Sequence, residues 1–204
     1  MAKDIRINCI TISIRELVTL MATKPMVKNS ARRARIWITS ILGLAAAIAP
    51  AQSAEQKIKA TYLYNFAKYV EWPTASFDSS NRFVIGIVGR DSLDGALDTS
   101  IEGKLIGTRK VEVKHLKWDQ DLSKCQVLFV PGGELSNYSK LELVKRSSVL
   151  VVGESTNFAH NFGIINFILQ SGKVGFEINA RRAQAKGLKI SSKLMTLAKE
   201  VDHS

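Results

Sequence analysis

Phe83-Val84-Ile85-Gly86-Ile87-Val88 is an unbroken apolar run, followed at once by Gly89-Arg90-Asp91. Such a run offers no face to water. It predicts a strand buried on both sides, the habit of a parallel sheet covered by helices. The Gly-Arg-Asp tripeptide turns the chain, and Asp91 or Ser92 is placed to cap a short helix ending near Leu97. The same design recurs downstream. Gln126-Val127-Leu128-Phe129-Val130 reads as a buried strand closed by Pro131-Gly132-Gly133, and Ser148-Val149-Leu150-Val151-Val152 as another. Leu135 to Arg146, between them, reads as helical. Val111 to Leu116 alternates apolar and polar residues, which predicts a half-buried strand.

Upstream, Ala54 to Val70 has helical spacing, with Ile58, Tyr62, Asn65, Phe66 and Tyr69 expected to face the core. Pro73 ends that helix, because the residue before a proline resists helical geometry. Thr74 to Asn81 is polar and loop-like. Downstream, Gly163 to Ile168 and Lys173 to Ile178 read as the arms of a hairpin turned at Gln170-Ser171-Gly172. Ala180 to Val201 is expected to be helix-rich, with a break near Gly187. The expected fold is therefore α/β: a mainly parallel sheet flanked by helices on both faces, with an antiparallel hairpin at the edge.

The net charge of +11 is unevenly spread. Residues 1–51 hold eight Lys and Arg against two carboxylates, so the rest carries only +5, with the signs interspersed. That pattern argues against nucleic acid as a partner. Arg32, Arg33 and Arg35 precede the uncharged apolar run Ile36 to Ile48, and Ala49-Pro50-Ala51 supplies small residues beyond it. This is the layout of a secretory signal peptide, with cleavage expected after Ala51. The run is shorter than the roughly 20 residues of a spanning helix. Met26 would begin a leader of ordinary length. The expected organisation is therefore a gene-model extension or long n-region over 1–25, a signal peptide over 26–51 and one α/β domain over 52–204, exported to the periplasm. Cys9 falls in the extension, so Cys125 would be the lone mature cysteine, with a buried inert thiol the favoured reading.

Catalytic chemistry finds little support. There is no Gly-x-Gly-x-x-Gly and no Walker lysine after the first strand. Gly153-Glu154-Ser155 lacks the second glycine of a nucleophile elbow. His115 in a strand, His160 in a loop and His203 at the tail are not paired with a nucleophile or metal ligand. No catalytic, metal or cofactor set is assigned. Open α/β sheets bind ligands beyond the carboxyl ends of their strands. On that rule Gly89, Arg90, Asp91, Gly132, Gly133 and Ser155 form a candidate ligand cleft, which would suit a small-molecule sensor or solute-binding protein. Trp72, with neighbouring Glu71 and Phe77, is the candidate partner interface, the competing role for Trp72 being to plug the core. Arg181, Arg182, Lys186 and Lys189 read as a solvated basic helical face.

Several of these stretches resemble one family. Tyr62-Leu63-Tyr64-Asn65-Phe66-Ala67-Lys68-Tyr69-Val70-Glu71-Trp72-Pro73 is similar to the opening motif of YfiR-like proteins. Ile85 to Asp91, Cys125 to Val130 and Gly163 to Phe167 match in the same order. The closing matches are Phe176-Glu177-Ile178-Asn179 and Gly187-Leu188-Lys189-Ile190-Ser191-Ser192-Lys193-Leu194. The resemblance implies a non-enzymatic periplasmic repressor that needs no cofactor. It would bind the periplasmic domain of an inner-membrane diguanylate cyclase, or of a sensor kinase. It would thereby control cyclic di-GMP and biofilm formation. It also implies sequestration by an outer-membrane lipoprotein, and a homodimer. Two departures stand out. The disulfides of the family's best-studied members have no counterpart here, because Cys125 lacks a mature partner. Phe162 also stands where the family pattern has a second glycine before Gly163.

Overall fold

In the computed structural model, the described residues are 49–79 and 81–202; the side chains of 49–53 and of Leu135 are not described. The extension, the leader up to residue 48, Cys9 and His203 lie outside the described residues.

Helix α1 (Ala49–Tyr69) runs into a two-residue strand, β1 (Val70–Glu71), just before Pro73. Its fully buried stripe is Ala60, Leu63, Phe66 and Ala67. That stripe is rotated from the expected face. Ile58 is 45% exposed, while Tyr62 sits at the boundary and stacks on Phe66 with centroids 5.9 Å apart. Ala60 and Ala67 are fully buried beside Leu63 and Phe66 in that stripe.

The main sheet has eight strands. Five are mutually parallel: β2 (Arg82–Val88), β4 (Arg109–Leu116), β5 (Val127–Val130), β6 (Leu150–Gly153) and β7 (Ile165–Gln170). β3 (Leu105–Ile106) lies antiparallel on β4, and β8 (Lys173–Asn179) antiparallel on β7. β10 (Glu200–Asp202) then adds parallel to β8, so the order is β10-β8-β7-β6-β5-β2-β4-β3. A separate ribbon pairs β1 with β9 (Lys189–Ile190), antiparallel. Ser171 and Gly172 both have positive φ, 51° and 73°, as a tight two-residue hairpin turn requires.

Successive residues of each strand face opposite ways. Phe83, Ile85, Ile87, Val127, Phe129, Leu150 and Val152 pack under α1, α2 (Ala96–Ile101) and α5 (Ser192–Leu197). Val84, Val88, Leu128, Val130 and Val151 face the other way, against Tyr138, Leu141, Val144 and Phe158. Phe158 opens α3 (Phe158–Asn161). The mainly parallel sheet covered on both faces, with its hairpin, is thus present.

Three local expectations change. The stretch after β5 is a 3-10 helix, Leu135–Val144. Its buried residues Tyr138, Leu141 and Val144 recur every three positions, which fits three residues per turn. Asp91 folds a turn, its carboxylate accepting from the N–H groups of Leu93 and Gly95, and α2 begins only after Gly95 at φ 72°. The last segment holds two short helices, α4 (Ala180–Ala185) and α5, separated by Gly187 and β9. Val201 lies in strand β10, where its backbone pairs with Ile178.

Candidate functional site

The loops after β2, β5 and β6 converge, as the ends of adjacent parallel strands must. They bring Gly89, Arg90, Asp91, Gly132, Gly133 and Ser155 to one end of the sheet. Two carboxylates of the same loops, Glu134 and Glu154, stand among them. Glu134 accepts from the Arg90 amide at 3.3 Å, from Trp118 Nε1 at 2.9 Å and from Asn137 Nδ2 at 3.0 Å. Burial pushes its carboxyl up, but the Asn137, Arg90 and Trp118 hydrogen bonds outweigh it and hold the group below its ordinary range. Gly89 has φ 82°, and a Cβ there would lie 2.5 Å from Glu134 Oε1. Only glycine fits both the turn and this approach.

Glu154 does the same one strand over. Its Oε1 accepts from the Gly132 amide at 2.9 Å and from Ser92 Oγ at 2.8 Å, and its Oε2 receives Lys59 Nζ from α1 at 2.8 Å. Lys59 also reaches Glu55 at 2.6 Å. Burial lowers the Lys59 ammonium's pKa, but the hydrogen bonds and charge of Glu154 and Glu55 raise it above the usual lysine value. Two backbone N–H groups at the strand ends, those of Arg90 and Gly132, are thus answered by carboxylates of the chain itself. The readable signal was a Gly-Glu pair at the carboxyl end of each strand, Gly153-Glu154 at the end of β6 and Gly133-Glu134 in the loop after β5.

The Glu71, Trp72 and Phe77 patch is built differently. Glu71 is exposed, with its backbone paired to Lys189. Trp72 is half-buried: its ring meets Phe83 edge-on at 5.0 Å, and Nε1 donates to the Gln126 carbonyl at 3.2 Å. Phe77 lies tilted on Phe83 at 6.2 Å, with the Arg109 guanidinium 3.9 Å above its ring. Buried Gln126 pins the loop, accepting from the Val84 N–H at 2.8 Å and donating to the Ser76 carbonyl at 2.6 Å. A polar residue opening an apolar strand was the sequence signal for this tie.

The basic stretch is not one solvated face. Arg181 and Lys189 are exposed, but Arg182 donates to the carbonyls of Ala159, Gly163 and His160, and Lys186 to those of Val144 and Ser147. His160 sits in α3, exposed, and not in a loop. Ser155 Oγ shares a 2.6 Å hydrogen bond with Tyr138 Oη. Cys125 is free and buried; burial pushes its thiol up to about 12. Asp91, Asp98 and His115 each offer one ligand atom within 4.8 Å of the others. His115 and Asp98 are about half exposed, and Asp91 already serves two backbone amides, so the set is a loose surface cluster.

No curated protein matches the chain. A conserved domain protein from Vibrio cholerae shares the fold, with TM-score 0.53 and 10% identity over 70% of this chain. The ABC domain in complex with L-Trp from Streptococcus pneumonia aligns at TM-score 0.43 and 15% identity over 60% of this chain. The chain spans 60% and 56% of the lengths of those two structures, respectively. A family model described as YfiR/HmsC-like matches residues 56–199, and the chain belongs to that family.

Proposed function

We propose that the protein represses a membrane-bound diguanylate cyclase, or a related sensor, by binding its periplasmic domain, and so limits cyclic di-GMP and biofilm formation. The observation that carries this reading is the family match, since the family is one of periplasmic regulators of cyclic di-GMP signalling. Among the described residues no helix is long and apolar enough to cross a membrane. A regulator on one side of a bilayer acts on the other only by binding two states of a spanning partner unequally. A role in contact is supported at the strand ends by Glu134 and Glu154, which already occupy the Arg90 and Gly132 amides. For the contact surface we favour Glu71 with the exposed parts of Trp72 and Phe77. An outer-membrane lipoprotein that captures the repressor, and a homodimer, belong to the same reading.

The test compares a gene deletion with complementation by the native chain and by Glu71→Lys. Glu71 is exposed, so this exchange leaves the core alone. Deletion should raise cyclic di-GMP, the native gene should restore it, and Glu71→Lys should restore it poorly while losing the co-purifying membrane protein. Unchanged cyclic di-GMP on deletion refutes the repressor role; full rescue by Glu71→Lys refutes the patch.

A further inference from the structure

A cavity of about 650 Å³ opens on the second face of the sheet, between the 3-10 helix Leu135–Val144, α3 and α4. Its size falls within the roughly 300–1,000 Å³ of small-molecule sites. One wall is aromatic. Tyr138 and Phe162 meet edge-to-face at 5.0 Å, and Phe162 is 42% exposed, a large ring left facing water. The other wall is cationic, with Arg181 and Arg182 from α4, Lys186 just past its end, and Lys145, which pairs with Glu142 at 3.0 Å. Glu142 and Asp202 also line the cavity, so its cations outnumber its carboxylates.

The two inner cations are fixed without an anion. Arg182 is held by three backbone carbonyls and Lys186 by two. Among the described residues neither forms an ion pair within 4.0 Å. Carbonyl dipoles orient these groups but leave their full charges in place. Burial, and then the charge of Arg182, pushes the Lys186 ammonium down to about 8, against the opposing pull of Glu142. Burial is the larger cause, and Glu142 and Asp202 act on the Arg182 guanidinium without reaching ion-pair distance, so the case for an anion rests on the geometry of the two held cations. A ligand anion would make charge-assisted hydrogen bonds to groups already immobilised, and a flat apolar body would lie along the exposed ring.

We propose that this cavity is a binding site for a small organic anion with a flat aromatic body, its charge toward α4 and its ring toward Tyr138 and Phe162. The site is separate from the strand-end loops and from the Glu71 patch, and it does not depend on the cyclase reading.

The test uses the full chain purified from cells and a matched pair of probes, 2-naphthoate and its neutral isostere 2-naphthamide, by titration calorimetry. The carboxylate should bind at least about tenfold more tightly than the amide, as a charge-assisted contact requires. Phe162→Ala and Arg181→Gln change exposed side chains and should each weaken naphthoate by about fivefold or more, with the melting temperature of the free protein held. Lys186→Met should weaken it further. Equal affinity for both probes, native affinity in Phe162→Ala and Arg181→Gln, or no binding of naphthoate at millimolar concentration would each overturn the proposal.

Discussion

Replacing Trp72 by alanine separates a core role from a contact role. The ring stands edge-on to Phe83 at 5.0 Å, packs against the first-face core and donates its indole N–H to Gln126. Truncating a fully buried Trp or Phe costs about 3–5 kcal/mol; half-burial here brings that to about 2–3 kcal/mol. In a domain of this size the loss lowers the melting temperature by about 5–10 °C. Trp72→Phe isolates the hydrogen bond. The Gln126 carbonyl still receives the Leu150 N–H at 2.8 Å, so no acceptor is orphaned and the cost stays near 1 kcal/mol. Urea titration followed by circular dichroism reads both variants, and partner capture is scored on whichever remains folded. An unshifted midpoint for Trp72→Ala would refute the structural reading of the ring. Lost capture in a fully folded Trp72→Phe would show that the indole contacts the partner.

Three more outcomes follow from the geometry. Glu154→Gln keeps the shape but removes the charge that faces Lys59, so α1 is held less firmly against the strand ends; we expect a loss of about 1–2 kcal/mol in urea unfolding, softened by Glu55, and no loss would refute the tie. Cys125 should resist iodoacetamide at pH 8 in the native protein and react fully in 6 M guanidinium, as mass spectrometry would show, because burial holds the thiol protonated. Lys186 is depressed from 10.5 to about 8, so between those values the unfolded chain binds more protons than the folded one. Its contribution to stability therefore rises with pH from about 8 to 10.5, and urea midpoints of the native chain should climb relative to Lys186→Met across that window; parallel curves would contradict the assignment.

The long strands were legible because burial on both faces demands a continuous apolar run, and β2, β5 and β6 obey that demand without interruption. The hairpin was legible because Ser171-Gly172 accepts two positive φ values in succession. The short strands β1, β3, β9 and β10 were not. Two or three residues carry no period, and their pairing is decided by where distant segments pack. Val201 shows this: its apolar side chain suited a helix, yet its backbone found the free edge of β8. The three-residue spacing of Tyr138, Leu141 and Val144 did encode the 3-10 helix, but it is easily taken for an α-helical stripe. For the strand-end loops, the rule about strand termini located the right residues. It missed that Glu134 and Glu154 fold back onto them, because a carboxylate's choice between water and a neighbouring amide depends on loop geometry.

The small β1–β9 ribbon has a consequence for how the chain matures. Val70 and Glu71 pair with Ile190 and Lys189, and the Ser191 N–H closes onto the Tyr69 carbonyl. A polypeptide delivered amino end first therefore waits for nearly its whole length before this clasp can shut. Until then the far end of α1 has no latch, and a truncation of the last fifteen residues should leave α1 exposed to proteases.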